Sequence, residues 1–400
     1  MLQTKTIAVE NECYFDKVLS PSKNGAHFTN TRSSSLLHHR HHSQSPPPLP
    51  NSIVAQAGDV DALLPENEHL KEDYNEFDDS ELLDENDNPF DKKNEDDVDD
   101  ETEVVGKGFE NLPQNNYSFK WEEVIWGNVL LISAIHLIAG YTLYMYIIGT
   151  LKWQNVLISY LFGAFSAFGV TVGAHRLWAH RSFKAKWPLR VLLAFCNTCA
   201  LQTDIYDWCR DHRVHHRFSE TNADPHNSNR GFFFAHCGWL MLKKHPEVTQ
   251  KGRTVDLSDL LADPVVAFQR RWYLPLGVLC WGVVPTLFGS YVLDETLLNS
   301  FLMAVMYRYV YVLNLTWNVN SAAHLFGNRP YTVKISPREN KLVTYLSFGE
   351  GYHNYHHAFP YDYSASEFGL SNSFSLSTAI IEFFEKLGLA YDLKKPNPET

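Results

Sequence analysis

At 400 residues the chain can hold one large domain or two ordinary ones, and its formal charge of −12 is spread unevenly. Residues 59–103 carry 21 acidic residues against three lysines, a local −18 that leaves +6 for the remainder, so an acidic working body is excluded. The six cysteines show no framework of spacings, which excludes a disulfide-stapled fold and fits a reducing, cytosol-facing body.

No cleavable signal peptide is expected, because residues 1–16 have no apolar core. Residues 1–116 read as a disordered acidic tail. Positions 43–50 are rich in Ser and Pro, and the acidic block after them cannot bury enough apolar surface to offset the entropy of ordering. His38, His39, His41 and His42 around Arg40 read as a solvated polar tract.

The composition changes at Tyr117, where a membrane domain over 117–395 is expected. Crossing a bilayer takes about 20 apolar residues. Segments 124–148, 156–174, 273–292 and 297–315 qualify, giving an all-α integral membrane protein with four transmembrane helices. Short turns at 149–155 and 293–296 join them into two antiparallel hairpins. The basic residues Arg176, Arg181, Lys184, Lys186, Arg190, Arg270, Arg271, Arg329, Lys334, Arg338 and Lys341 lie at the other ends of the spans, whereas the turns hold only Lys152. The positive-inside rule then places both termini in the cytosol, with a helical cap built from 175–272 and 316–395. Arg308, inside the fourth span, is expected to pair or snorkel, and His136, inside the first, to be hydrogen-bonded. Residues 188–201 read as an interfacial or re-entrant helix, Gly231-Phe-Phe-Phe234 as a further membrane-surface contact, and 376–387 as a helix docked on the cap. Cys196-x-x-Cys199 lies in an apolar run and reads as packing.

The chemistry is carried by histidines. His353-x-x-His356-His357 repeats the pattern of His212-x-x-His215-His216. On a helix such a motif presents three imidazoles on one face, splayed enough to reach two metal ions. His175, His180, Asn320 and His324 add further donors. Neutral imidazole suits Fe, Zn, Cu and Ni, and eight or nine histidines exceed one tetrahedral site, so a dinuclear centre is expected. His175 and His180 stand about 140° apart on an α-helix, so they share a metal only if the helix ends or bends between them. All groups fall where the spans enter the cytosol.

The motifs HRLWAH, RDHRVHH, NSAAH and GEGYHNYHHAFPYDY, with ADPHNSNRGFFFAHCGWL and LGLAYDLK, resemble those of animal acyl-CoA desaturases of the stearoyl-CoA Δ9 type. The likeness runs from about Tyr117 to Lys395. It implies four transmembrane helices, a cytosolic cap holding a di-iron site of two Fe ions, and residence in the endoplasmic reticulum membrane. It also implies a cis double bond placed in a long-chain fatty acyl-CoA, with O₂ reduced to water by electrons from cytochrome b5 and its NADH-dependent reductase. No His-Pro-Gly-Gly haem motif occurs in the chain, so the donor is expected to be a separate protein. Carried over by position, the iron ligands fall on His175, His180, His212, His215, His216, His324, His353, His356 and His357, with Asn320 acting through water. The resemblance assigns His175, His180, His216 and His357, with Asn320, to one iron, and His212, His215, His324, His353 and His356 to the other. It places acyl-CoA contacts on Asn128, Arg210, Asp211, Lys243, Lys244 and Trp317; Lys243 stands where vertebrate members have arginine. Gly163, Ala164 and Ala167, small on one side of the second span, are expected to leave room for a tail of eighteen carbons or longer, and a bulky residue at Gly163 to shorten the preferred substrate. The residues leave four alternatives open: another regiochemistry such as Δ11, a related di-iron lipid hydroxylase, a phospholipid-linked or front-end desaturase, and a non-catalytic metal-binding membrane protein.

Overall fold

The computed structural model describes residues 119–368 and 373–397, so the expected tail at 1–116 lies outside the described residues. In chain order the principal helices are α1 (Trp126–Ile147), α2 (Trp153–Ala179), α3 (Trp187–Ala200), α4 (Ile205–Arg217), α5 (Tyr273–Val292), α6 (residues 297–325), α7 (His353–Ala358) and α8 (Leu376–Lys386). A short antiparallel pair joins β1 (Lys184–Ala185) to β2 (Ala390–Tyr391).

Three of the described helices, α1, α2 and α5, are long and apolar enough to cross a membrane. Their large apolar side chains face outward, as Leu130, Leu137, Ile147, Leu161 and Leu274 do, which suits lipid better than water. The expected fourth span is the helical run α6, whose apolar character is broken by Arg308 and Asn314. α5 has the ends that its flanking charges and turn imply. α2 runs past its expected end at 174 to Ala179 and so carries His175 on the helix itself.

From Gly169 to Ala179 this helix changes winding, with i→i+5 hydrogen bonds of the π type. α3 lies across that segment and buries Leu189, Leu193, Ala194 and Cys199 there, leaving Trp187, Val191 and Phe195 exposed along its outer face. Cys196 and Cys199 are free and buried, as packing requires. α8 closes the same region. Its Ile381 joins Trp178, Phe183, Leu189 and Leu260 in the largest apolar cluster among the described residues.

Two polar residues within the helices find neutral partners. Arg308 neither pairs with a carboxylate nor snorkels. It is buried and donates to the carbonyls of Ala304, Cys199 and Trp281 and to Ser166 Oγ, with its guanidinium over the Phe162 ring. Backbone carbonyls freed near the α3 end and the irregular part of α5 thus take the place of an anion. His136 is hydrogen-bonded as expected, to Ile132 O at 2.7 Å and to Asn314 Nδ2 at 3.2 Å.

Candidate metal centre

Four helices deliver the histidines. The π winding of α2 corrects the expectation that its helix must end or bend. With i→i+5 bonding, His180 N donates to His175 O at 3.0 Å, so a five-residue spacing stacks the two side chains on one face. Their rings lie 4.9 Å apart. α4 starts at Asp204, whose carboxylate caps Asp207 N at 3.0 Å, and presents His212, His215 and His216. α6 ends just after His324. α7 is entered through Gly349, at φ +111°, and Gly351, where a Cβ would overlap Thr344 N and Asn340 O. Both glycines supply the turn into the helix.

The nine imidazoles form two groups with their donor atoms within 4.8 Å of one another. One comprises His175, His180, His212, His216 and His356; the other comprises His215, His324, His353 and His357. In the first, Nε2 atoms converge at 2.9 Å (His175–His356), 2.8 Å (His180–His212) and 3.1 Å (His216–His356). In the second they meet at 2.9 Å (His324–His353) and 3.2 Å (His353–His357). The groups touch where His216 and His357 stack at 4.0 Å.

All nine expected ligands come together, but their division differs from the one implied by the resemblance: His212 and His356 belong with His175, and His357 with His215. The reason is helical geometry. Residues i and i+4 lie about 40° apart round a helix, and i and i+3 about 60°. Each HxxHH box therefore keeps its first and last histidines together and sends the middle one to the other group. Asn320 lines a cavity of about 60 Å³ with His175, His212, His215 and His353.

Carboxylates stand behind three of the imidazoles. Glu350 accepts from His175 Nδ1 at 3.0 Å and from Arg176 at 2.6 Å. Asp224 lies 2.9 Å from His215 Nδ1, and Glu220 2.7 Å from His324 Nδ1. Such contacts fix the tautomer that leaves Nε2 free to ligate. Burial, then the neighbouring imidazoles, hold His180, His212, His216, His353, His356 and His357 well below the usual histidine range, so their lone pairs are available. Burial also pushes His215 down, but Asp224 outweighs it and the net shift is up. For Glu350 burial acts upward, yet Arg176 and His175 prevail and bring it down to about 2. Buried neutral nitrogen donors in two convergent sets fit a pair of transition-metal ions and do not fit calcium or magnesium. Glu220, Asp224 and Glu350 were not anticipated. Their only sequence signal is that acidic residues sit beside the histidine boxes in a body otherwise mildly basic.

The cavity continues from the histidines between α2 and α6 over Ala167, Val170, Val312 and Leu315. A larger, open hollow of about 720 Å³ lies instead at the two short turns, lined by Tyr146, Lys152, Trp153 and Leu293, and touches no histidine. Gly163 lies one turn beyond Ala167. A Cβ there would stand 3.3 Å from Val312 Cγ2 and 3.5 Å from Arg308 Cγ. A bulky residue at 163 therefore presses on α6 where it lines the cavity. The expected shortening of substrate preference would act through Val312, and unchanged chain preference in Gly163→Leu would count against it.

The six expected acyl-CoA contacts form two adjoining patches. Asp211 accepts from Lys244 at 2.6 Å and from Arg210 at 3.0 Å, and Arg210 also reaches Asp207. Lys243 donates its backbone N–H to Glu123 O at 2.8 Å, which ties it to the segment leading into α1. There Asn128 Nδ2 donates to Leu240 O at 2.7 Å. Trp317 is buried with Leu240 and Ile135 in one cluster, between the rings of His136 and His236.

Comparison with known proteins gives these features a family context. The family model described as fatty acid desaturase matches residues 151–366, more than half the chain. Stearoyl-CoA desaturase 5 of Bos taurus is 54% identical over 274 residues, covering 68% of this chain and 81% of the relative. Stearoyl-CoA desaturase of Homo sapiens is 55% identical, covering 68% of this chain and 75% of the relative. The acyl-CoA Delta-9 desaturase of Acheta domesticus is 49% identical, again over 68% and 75%.

Proposed function

Because the chain belongs to the fatty acid desaturase family and is an oxidoreductase of the Δ9 acyl-CoA desaturase type, we propose that its two histidine groups hold two iron ions and act on a long-chain saturated acyl-CoA. The observation that carries the proposal is the pair of buried histidine groups opening onto one narrow apolar cavity. The protein is a multi-pass membrane protein. Residues 117–395 form its desaturase domain, with α6 as the fourth span, the cap on the cytosolic side and the endoplasmic reticulum as its membrane. Cytochrome b5 is the proposed electron donor, since a mildly basic body suits an acidic partner.

When bound, the iron pair supplies the oxidising power, drawn from O₂, that an unactivated methylene needs. The residues of the chain do the rest. Arg210, Lys243 and Lys244 present cationic groups to the phosphates of the acyl-CoA, and Asp211 holds Arg210 and Lys244 in place. Asn128 on α1 and Trp317 on α6 continue the contact from that patch onto the membrane-facing helices. Ala167, Val170, Val312 and Leu315 exclude water from the tail and direct it past both groups. Regiochemistry follows from how far the tail enters before the cavity stops it. Asn320 lines the cavity with His175 and His212 of one group and His215 and His353 of the other, and would act there through a water, as the resemblance implies.

Product analysis tests the proposal. Microsomes containing the protein receive stearoyl-CoA and palmitoyl-CoA with NADH and O₂, and mass spectrometry locates any new double bond. A cis bond between carbons 9 and 10 is the expected result. A hydroxylated product would overturn desaturation, and a bond elsewhere would overturn the Δ9 placement.

A further inference from the structure

The segment after α4, Ser219-Glu-Thr-Asn-Ala-Asp-Pro-His-Asn-Ser-Asn229, contributes no expected metal ligand, yet it is among the most fully bonded stretches of the cap. Asp224 is buried and accepts from Glu220 N at 2.9 Å, from His226 N at 3.1 Å and from His215 Nδ1 at 2.9 Å. Glu220 is buried beside it and accepts from Ser228 Oγ at 2.9 Å and Ser219 Oγ at 2.7 Å as well as from His324 Nδ1. Asn229 Nδ2 fixes the Glu220 carbonyl at 3.0 Å. Glu220 itself sits at φ +59°, a conformation a non-glycine residue keeps only when its surroundings hold it there. The loop is thus built around two carboxylates aimed at two imidazoles of the same histidine group.

The charge balance of the two groups differs. Glu350, behind the first group, is neutralised by Arg176 at 2.6 Å. Among the described residues no lysine or arginine pairs with Asp224 or Glu220. The nearest side chains able to carry positive charge beside them are His215 and His324, with His226 Nδ1 further off at 3.7 Å from Asp224. A carboxylate on the far nitrogen of a ligating imidazole raises its basicity, and negative charge near a metal favours its more oxidised form.

We propose that Asp224 and Glu220 are positioning residues that make the two metal sites unequal. They render the ion held by His215, His324, His353 and His357 the harder of the two to reduce, so an arriving electron goes first to the five-imidazole group. The proposal rests on the dinuclear reading given above. It assigns a task to a loop that contributes no residue to the lining of the cavity.

The test uses full-length protein grown with iron-57 and purified in detergent, and reads iron per chain, Mössbauer spectra and a stepwise reductive titration. Wild type is expected to carry two irons with two distinct doublets that reduce in separate steps. Asp224→Asn keeps one oxygen to accept from His215 and removes the charge, at the cost of the acceptor that Glu220 N uses. It is expected to shift the later-reducing doublet, the one that His324→Ala removes, to an earlier step and to leave the other unchanged. Glu220→Gln should move the same doublet, and Glu350→Gln the other one. Fewer than two irons in wild type would overturn the dinuclear reading and this inference with it. Two irons in wild type with unshifted doublets in both variants, or with both doublets shifting alike, would overturn the inference alone. If Asp224→Asn does not fold, Glu220→Gln decides by the same readout.

Discussion

The double variant His212→Ala/His356→Ala is expected to lose one metal ion per chain, whereas His356→Ala/His357→Ala should weaken both. The first pair lies within one group, with His212 and His356 both facing His175 at ring separations of 4.7 and 4.5 Å. The second pair, although adjacent in sequence, is divided between the groups. Each single variant should lower turnover by more than about 100-fold, since partners one shell further out already cost about 10–100-fold. Metal content per chain together with the desaturation rate checks this. Residues sharing an ion should be non-additive, and residues on different ions should each remove their own. If His353→Ala/His356→Ala instead lost only one ion and His353→Ala/His357→Ala weakened both, the division of each box into i with i+3 would be right and the i with i+4 division wrong.

That division marks where the sequence stopped being informative. The two HxxHH boxes gave six donors, His175, His180 and His324 three more, and with them a dinuclear expectation, and the structure brings all nine together. Which donors share an ion depended on a difference of about 20° in side-chain direction, too small for spacing alone to decide. The winding of α2 was hidden in a similar way. Nothing in Gly-Val-Thr-Val-Gly-Ala-His announces i→i+5 bonding, because the widened turn comes from packing against α3 and not from local propensity. The apolar runs, by contrast, are legible wherever lipid dictates composition over 20 residues, as in α5. α6 is less legible because the same helix also carries Arg308 and Asn314 within the span and Asn320 and His324 at the site. Glu220 and Asp224 were invisible for a further reason. A carboxylate aimed at an imidazole from a loop has no period, and only the fold shows the pairing.

The same packing makes Gly169→Ala the substitution with the largest expected effect on stability. Gly169 opens the π-wound part of α2 where it crosses α3, and a Cβ there would overlap Asn197 N and Cys196 C. These are backbone atoms of a buried helix and cannot rotate aside, so one helix must move. Overpacking usually costs about 1–3 kcal/mol when side chains can yield, and a clash with backbone is expected to exceed that range. The damage would reach the metal centre by two routes. His175 lies six residues further along α2. Asn197 Oδ1 accepts from Gln269 Nε2 at 2.9 Å, and Gln269 Oε1 in turn accepts from Ile205 N at 3.0 Å, the first residue of the helix that carries His212, His215 and His216. Displacing α3 therefore misplaces ligands on both α2 and α4. The expected result is a large fall in unfolding temperature in detergent, with loss of bound metal. Gly163→Ala, whose Cβ would meet only the Val312 and Arg308 side chains, should be mild in the same assay. Equal unfolding temperatures for Gly169→Ala and wild type would show that the α2–α3 crossing can open without cost, and the π winding would then need another cause.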